Sequence, residues 1–232
     1  MFAPASGICT SEINGYLVMS DLFYRAVRLL GSPLLAFSGS AHVSGTENLP
    51  AQGAFVLAST HTSYYDIPLL IYHLHRPIDF LATAELFSTP LKRWFLRSVN
   101  AFPYSRARPD PAGLHTMVHR LRKGRAVCIF PEGGIRRAEK SVLEEGNVRR
   151  GFGRLAGLAA APVVPVLVVN SQAYDHGSVW LGWKRARYSV CFCPPMQPPP
   201  PNDSDAAKRF ESDFVASVRS NYQRLEMRLP RD

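Results

Sequence analysis

A short apolar run, Phe55-Val56-Leu57-Ala58, opens directly into a cluster of small hydroxyl residues around a histidine, Ser59-Thr60-His61-Thr62-Ser63. Nothing else in the chain constrains its fold as tightly. The run is short, continuous and bounded by polar residues, so it reads as a buried strand. The hydroxyl cluster supplies groups that cap a helix start. A helix over residues 63–75 is therefore expected, ended by Arg76-Pro77.

His61 stands at the mouth of that turn. An unperturbed imidazole titrates near neutrality, which suits a general base. Asp66 follows five residues later. On a continuous helix five residues turn about 500°, leaving the two side chains roughly 140° apart. They meet only if His61 precedes the helix and Asp66 lies in its first turns. Taken alone, the spacing favours a plainer reading, a capping histidine with Asp66 as a first-turn partner of the helix dipole.

The rest of the chain changes the balance. Val99-Asn100-Ala101-Phe102-Pro103-Tyr104-Ser105-Arg106 reads as a short strand leading to an arginine. Ala126-Val127-Cys128-Ile129-Phe130 is another buried strand, followed at once by Pro131-Glu132-Gly133-Gly134, and Val164-Pro165-Val166 lies further on. In this order and spacing, with His61-x4-Asp66 first, the four blocks resemble the lysophosphatidic acid acyltransferase family, the PlsC-like glycerolipid acyltransferases. The resemblance runs from about residue 40 to residue 169. The chain departs from the family pattern twice. The third block usually continues Glu-Gly-Thr-Arg, whereas here Gly134-Ile135 delays the arginine to Arg136. The segment Ala82-Thr83-Ala84-Glu85-Leu86 lacks the lysine that often precedes the glutamate.

The resemblance implies transfer of a fatty acyl group from acyl-CoA or acyl-carrier protein to the free hydroxyl of a lysophospholipid, 1-acylglycerol-3-phosphate first among them. It implies His61 as the catalytic base and Asp66 as its partner. It also implies acceptor binding by Arg106, Glu132, Gly133, Gly134 and Arg136, with Arg137 a weaker alternative to Arg136. Another lysolipid or hydroxylated acceptor, or a non-catalytic lipid-surface module, stays open because the third block is altered. Ser63 lacks the Gly-x-Ser-x-Gly elbow of a serine hydrolase. No cofactor or metal is expected. His115 and His119 stand four apart, but no third ligand is visible and they read as a solvated face.

A net charge of +9 on 232 residues suits an anionic partner. Without a nucleic-acid-binding motif, anionic lipid is favoured over nucleic acid. Cys9, Cys128, Cys191 and Cys193 read as free thiols, with no metal spacing. No signal peptide is evident at the start. Residues 13–37 form one or two amphipathic helices, with Leu17, Phe23, Tyr24, Val27, Leu30, Leu34 and Leu35 near helical spacing. They fall short of a membrane span. Such a stretch either lies in a membrane interface or packs on the domain. The location expected is the cytoplasmic face of a membrane, peripheral or monotopic.

Further elements follow in order. Strands are expected at 41–44, 78–82, 99–104, 163–169 and 187–193. Helices are expected at 85–97, 109–124, 151–161 and 203–229. Residues 136–150 read as a polar loop, and Pro194 to Pro201 as an extended polyproline-like linker. Strands alternating with helices predict an α/β fold, a single domain with a largely parallel mixed sheet covered on both faces. The organisation is membrane-associating helices over 1–38, an acyltransferase domain over 39–193, and a linker with a packed helix over 194–232.

Overall fold

The computed structural model describes residues 10–105, 110–136, 141–143, 146, 148–149, 151–181 and 184–226, the side chains of 10–17 excepted. The chain begins with α1 (Thr10–Ser38) and β1 (Gly39–Ser44), then β2 (Phe55–Ser59), α2 (Asp66–His73), β3 (Ile78–Thr83), α3 (Pro90–Ser98) and β4 (Phe102–Tyr104). It continues through α4 (Pro111–Arg122), β5 (Ala126–Ile129), α5 (Phe152–Ala159), β6 (Val163–Val169), α6 (Gly177–Trp180), β7 (Ala186–Phe192) and α7 (Ser204–Glu226). The strands form one seven-stranded sheet in the order β1-β7-β6-β2-β5-β3-β4. Every pairing is parallel except β6 with β7.

Alternation along the strands builds two cores, because successive side chains point to opposite faces. Phe55 and Leu57 enter one core with Leu69 and Leu70 of α2, Tyr24 and Leu35 of α1, Tyr174 and Tyr188. Val56 and Ala58 enter the other with Met117 of α4, Phe152 of α5, and Phe210, Phe214 and Val218 of α7. The sheet is thus covered on both sides, as such continuous apolar strands require.

Several expected boundaries move. The helix expected from residue 63 begins at Asp66, because the Asp66 carboxylate folds back onto the amides of Thr62 and Ser63. The helix expected from residue 85 splits into a 3-10 turn at Ala84–Phe87 and α3, which Thr89 caps by accepting from the Lys92 amide at 3.3 Å. The segment expected as a polar loop buries Ser141, Val142 and Leu143. The polyproline run is no free linker. Met196 bridges Val163 of β6, and the run lies on α5, where a Cβ on Gly157 would stand 2.9 Å from the Pro199 carbonyl oxygen.

The N-terminal stretch is one helix that runs through Pro33. Its inner side carries the buried Tyr24 and Leu35. Val18, Met19, Leu22, Leu29, Leu30 and Phe37 point outward, Leu29 and Leu30 being 74% and 79% exposed. The expected stripe therefore merges two faces. Phe23 packs edge-on to Trp94 of α3 at 5.6 Å, and α3 adds exposed Leu91, Trp94 and Phe95 beside α1. Among the described residues no helix is long and apolar enough to cross a membrane.

A charged network fixes α1 to the sheet. Arg125 donates to both carboxylate oxygens of Asp21, at 2.9 and 2.7 Å, and to both of Asp79, at 2.6 Å each. Arg120 joins Asp79 at 3.2 Å, and the Asn100 amide donates to Asp21 at 2.8 Å.

Candidate active site

Adjacent parallel strands deliver the first and third blocks to one place. Ala58 pairs with Ile129 in the β2–β5 register, so His61 and Glu132 each lie three residues beyond a paired position. Beyond Ser59, Thr60 prolongs the sheet. Its amide donates to the Val166 carbonyl at 3.0 Å, and its hydroxyl accepts from the Val168 amide at 3.0 Å.

His61 is then held by both backbone groups. Its N–H donates to Glu132 Oε1 at 3.1 Å, and its carbonyl accepts from the Arg136 N–H at 2.7 Å. The ring stacks on Phe130 at 4.0 Å. Its Nδ1 lies 2.9 Å from Asp66 Oδ2. That same oxygen accepts from the Thr62 and Ser63 amides at 2.8 and 3.0 Å, and Asp66 is fully buried. A carboxylate fixed by two amides orients the imidazole and selects the tautomer with hydrogen on Nδ1. Nε2 is left as the proton acceptor, and His61 lines a large cavity.

That cavity holds about 580 Å³. Phe80, Leu81, Leu86, Leu114, Ile129 and Leu155 make its walls apolar, and His61, Gly133, Gly134, Arg149 and Arg154 also line it. A polar pair at the edge of an apolar chamber is an arrangement for chemistry at the end of a hydrocarbon chain.

The remaining expected residues divide. Glu132 is buried and directed at the His61 backbone. Burial pushes its carboxyl up to about 7, against the opposing pull of the His61 amide. The Val142 amide adds to that pull, and the buried Oε2 has no hydrogen-bond partner among the described residues. Gly133 adopts φ +72°, a left-handed turn that favours glycine. The Arg136 side chain is exposed and is not among the residues lining the cavity; its backbone holds His61 instead. Arg106 and Arg137 lie outside the described residues. Arg149 and Arg154 on the wall escaped the sequence reading, because a polar stretch and one exposed helix position carry no periodic signal. No group of three or more potential metal ligands occurs among the described residues.

Residues 40–169 match the profile of the family described as Acyltransferase. The chain belongs to that family. A 1-acyl-sn-glycerol-3-phosphate acyltransferase of Bacillus subtilis (strain 168) is 34% identical over 133 residues, 57% of this acyltransferase-family chain and 64% of the relative. A lyso-ornithine lipid O-acyltransferase of Pseudomonas aeruginosa is 31% identical over 112 residues, 45% of this chain and 40% of that protein. The matches thus span between two-fifths and two-thirds of these relatives. The crystal structure of the 1-acyl-sn-glycerophosphate acyltransferase PlsC from Thermotoga maritima superposes with a TM-score of 0.62 at 19% identity, covering 94% of this chain and 99% of that one. The seven-stranded, mostly parallel architecture is therefore that of the PlsC fold.

Proposed function

We propose that this protein transfers a fatty acyl group from acyl-CoA or acyl-carrier protein to the free hydroxyl of a lysophospholipid, with 1-acylglycerol-3-phosphate as the acceptor. The observation that carries the reading is the His61–Asp66 pair, 2.9 Å apart, at the edge of an apolar cavity. The acceptor hydroxyl attacks the thioester carbonyl carbon as His61 Nε2 takes its proton. A C–O bond forms, the tetrahedral intermediate collapses with loss of the C–S bond, and the proton passes from His61 to the departing thiolate. Asp66 stabilises the imidazolium without taking the proton itself. No protein nucleophile is required. The names of the relatives favour lysophosphatidate, and the Pseudomonas relative makes lyso-ornithine lipid the second acceptor to try.

The apolar faces of α1 and α3, with the net charge of +9, support docking on the cytoplasmic face of an anionic membrane. Purified protein, offered labelled acyl-CoA or acyl-carrier protein with a panel of lysolipids in anionic vesicles, tests the function directly. We expect label in phosphatidate. Label only in free fatty acid would replace acyl transfer by thioester hydrolysis.

A further inference from the structure

The cavity has a cationic edge. Besides His61, the charged residues that line it among those described are Arg149, Arg154 and Asp110. Asp110 is already engaged. Its Oδ2 accepts from the Ser105 amide at 2.7 Å and its Oδ1 from the Gly113 amide at 2.9 Å. It therefore caps α4.

Arg149 is built into the third block. Its N–H donates to the Pro131 carbonyl at 2.8 Å. Its side chain crosses the Gly133 turn so closely that a Cβ on Gly133 would stand 3.0 Å from its Cδ and 3.3 Å from Nη1. The glycine thus clears the path of the guanidinium as well as supplying the left-handed turn. Arg154 lies in the first turn of α5, exposed, with no ion-pair or hydrogen-bond partner among the described residues. Leu158, one turn further along the same face, also lines the cavity.

We propose that Arg149 and Arg154 form an anion clamp that binds a phosphate group of a substrate and so sets its reacting end against His61. The proposal rests on the acyl-transfer reading for its substrates. Guanidinium groups suit the task because their fixed N–H forks match phosphate oxygens bidentately. The apolar walls take the hydrocarbon, and the two arginines take the charge at the opposite end of an amphiphile. The phosphate has two sources, the acceptor's phosphomonoester or the phosphates of the CoA or carrier-protein arm of the donor.

Arg149→Gln and Arg154→Gln variants, checked by thermal unfolding, separate these sources. KM is measured for lysophosphatidate and for phosphate-free monoacylglycerol, and for acyl-CoA and acyl-N-acetylcysteamine. We expect KM for the phosphate-bearing member of one pair to rise about tenfold or more, the scale of a lost charge-assisted contact. The phosphate-free member should change little. A selective rise with lysophosphatidate assigns the clamp to the acceptor, and a selective rise with acyl-CoA assigns it to the donor. Arg154→Lys should recover part of the loss. Equal effects on phosphate-bearing and phosphate-free substrates would overturn the clamp. If the wild-type protein transfers no acyl group at all, the functional reading fails while the clamp is still decided. Inorganic phosphate should raise the wild-type unfolding temperature more than chloride at equal ionic strength. Loss of that difference in both variants supports the clamp, and its retention overturns it.

Discussion

Glu132 Oε1 accepts the backbone N–H of His61 at 3.1 Å, so the carboxyl of the third block holds the histidine of the first in place. Its acceptor is needed whether or not the carboxyl is charged. Glu132→Gln keeps an acceptor oxygen and should retain most turnover, whereas Glu132→Ala frees the His61 loop and should lower kcat at least tenfold, with a smaller change in acceptor KM. A Glu132→Ala enzyme with normal kcat would remove this support role.

The same carboxyl predicts a pH effect. Burial raises it to about 7 from an ordinary value near 4.5. Between those values the folded state binds more protons than the unfolded one, so this group makes the protein less stable as pH rises. Glu132→Gln cancels the effect. Relative to wild type, the variant should gain stability between pH 5 and pH 8 by up to about 3 kcal/mol. Urea midpoints at both pH values measure it, and parallel curves for the two proteins would contradict it.

His61→Ala should fold and lose roughly 100-fold or more in turnover, the scale of a lost general base. Asp66→Asn should cost turnover through the wrong tautomer. It should also cost about 1–3 kcal/mol of stability, because Oδ2 serves three donors in the buried loop. Turnover of a folded His61→Ala protein within threefold of wild type would eliminate the mechanism.

Asp79 and Asp21 share Arg125 but not the same surroundings. Asp79 is fully buried and also meets Arg120, whereas the Asp21 side chain keeps 26% of its exposure. Asp79→Ala should therefore cost about 3–5 kcal/mol, and Asp21→Ala distinctly less. Denaturation midpoints rank them. The reverse order would show that the clamp on α1 outweighs the buried pair.

Membrane docking through α1 and α3 predicts that Leu29→Asp with Leu30→Asp abolishes sedimentation with anionic vesicles and leaves the unfolding temperature nearly unchanged, since both side chains are already in solvent. Emission from Trp94 should shift to the blue when vesicles are added to wild type. Unaltered sedimentation of the double variant would move the contact elsewhere.

The strands were legible because runs such as Phe55–Ala58 and Ala126–Ile129 are apolar and short, and the α/β fold followed from their alternation with helices. The proximity of His61 to Asp66 was legible as a condition on the helix start, which the structure meets at residue 66. The inward direction of Glu132 was not, since it depends on the β2–β5 register and on the φ of Gly133. Nor was the packed proline strap. Gly153 and Gly157 admit backbone against α5, with a Cβ on Gly153 lying 2.2 Å from the Ala207 carbonyl oxygen, and a glycine's purpose is set by a neighbour distant in sequence. The two faces of α1 were merged because it is apolar around most of its circumference.

The pairing of β1 with β7 has a consequence for the order of synthesis. Gly39 finds Ala186 as its partner, 147 residues later, or roughly 7–30 s of translation at ordinary rates. For that interval α1 has been made while the edge that seats β1 does not yet exist. Its outward face, with Leu29, Leu30 and Phe37, is available to a bilayer before a catalytic domain is there to be carried. If α1 docks on a membrane, a ribosome-bound chain stopped short of residue 186 should already float with vesicles.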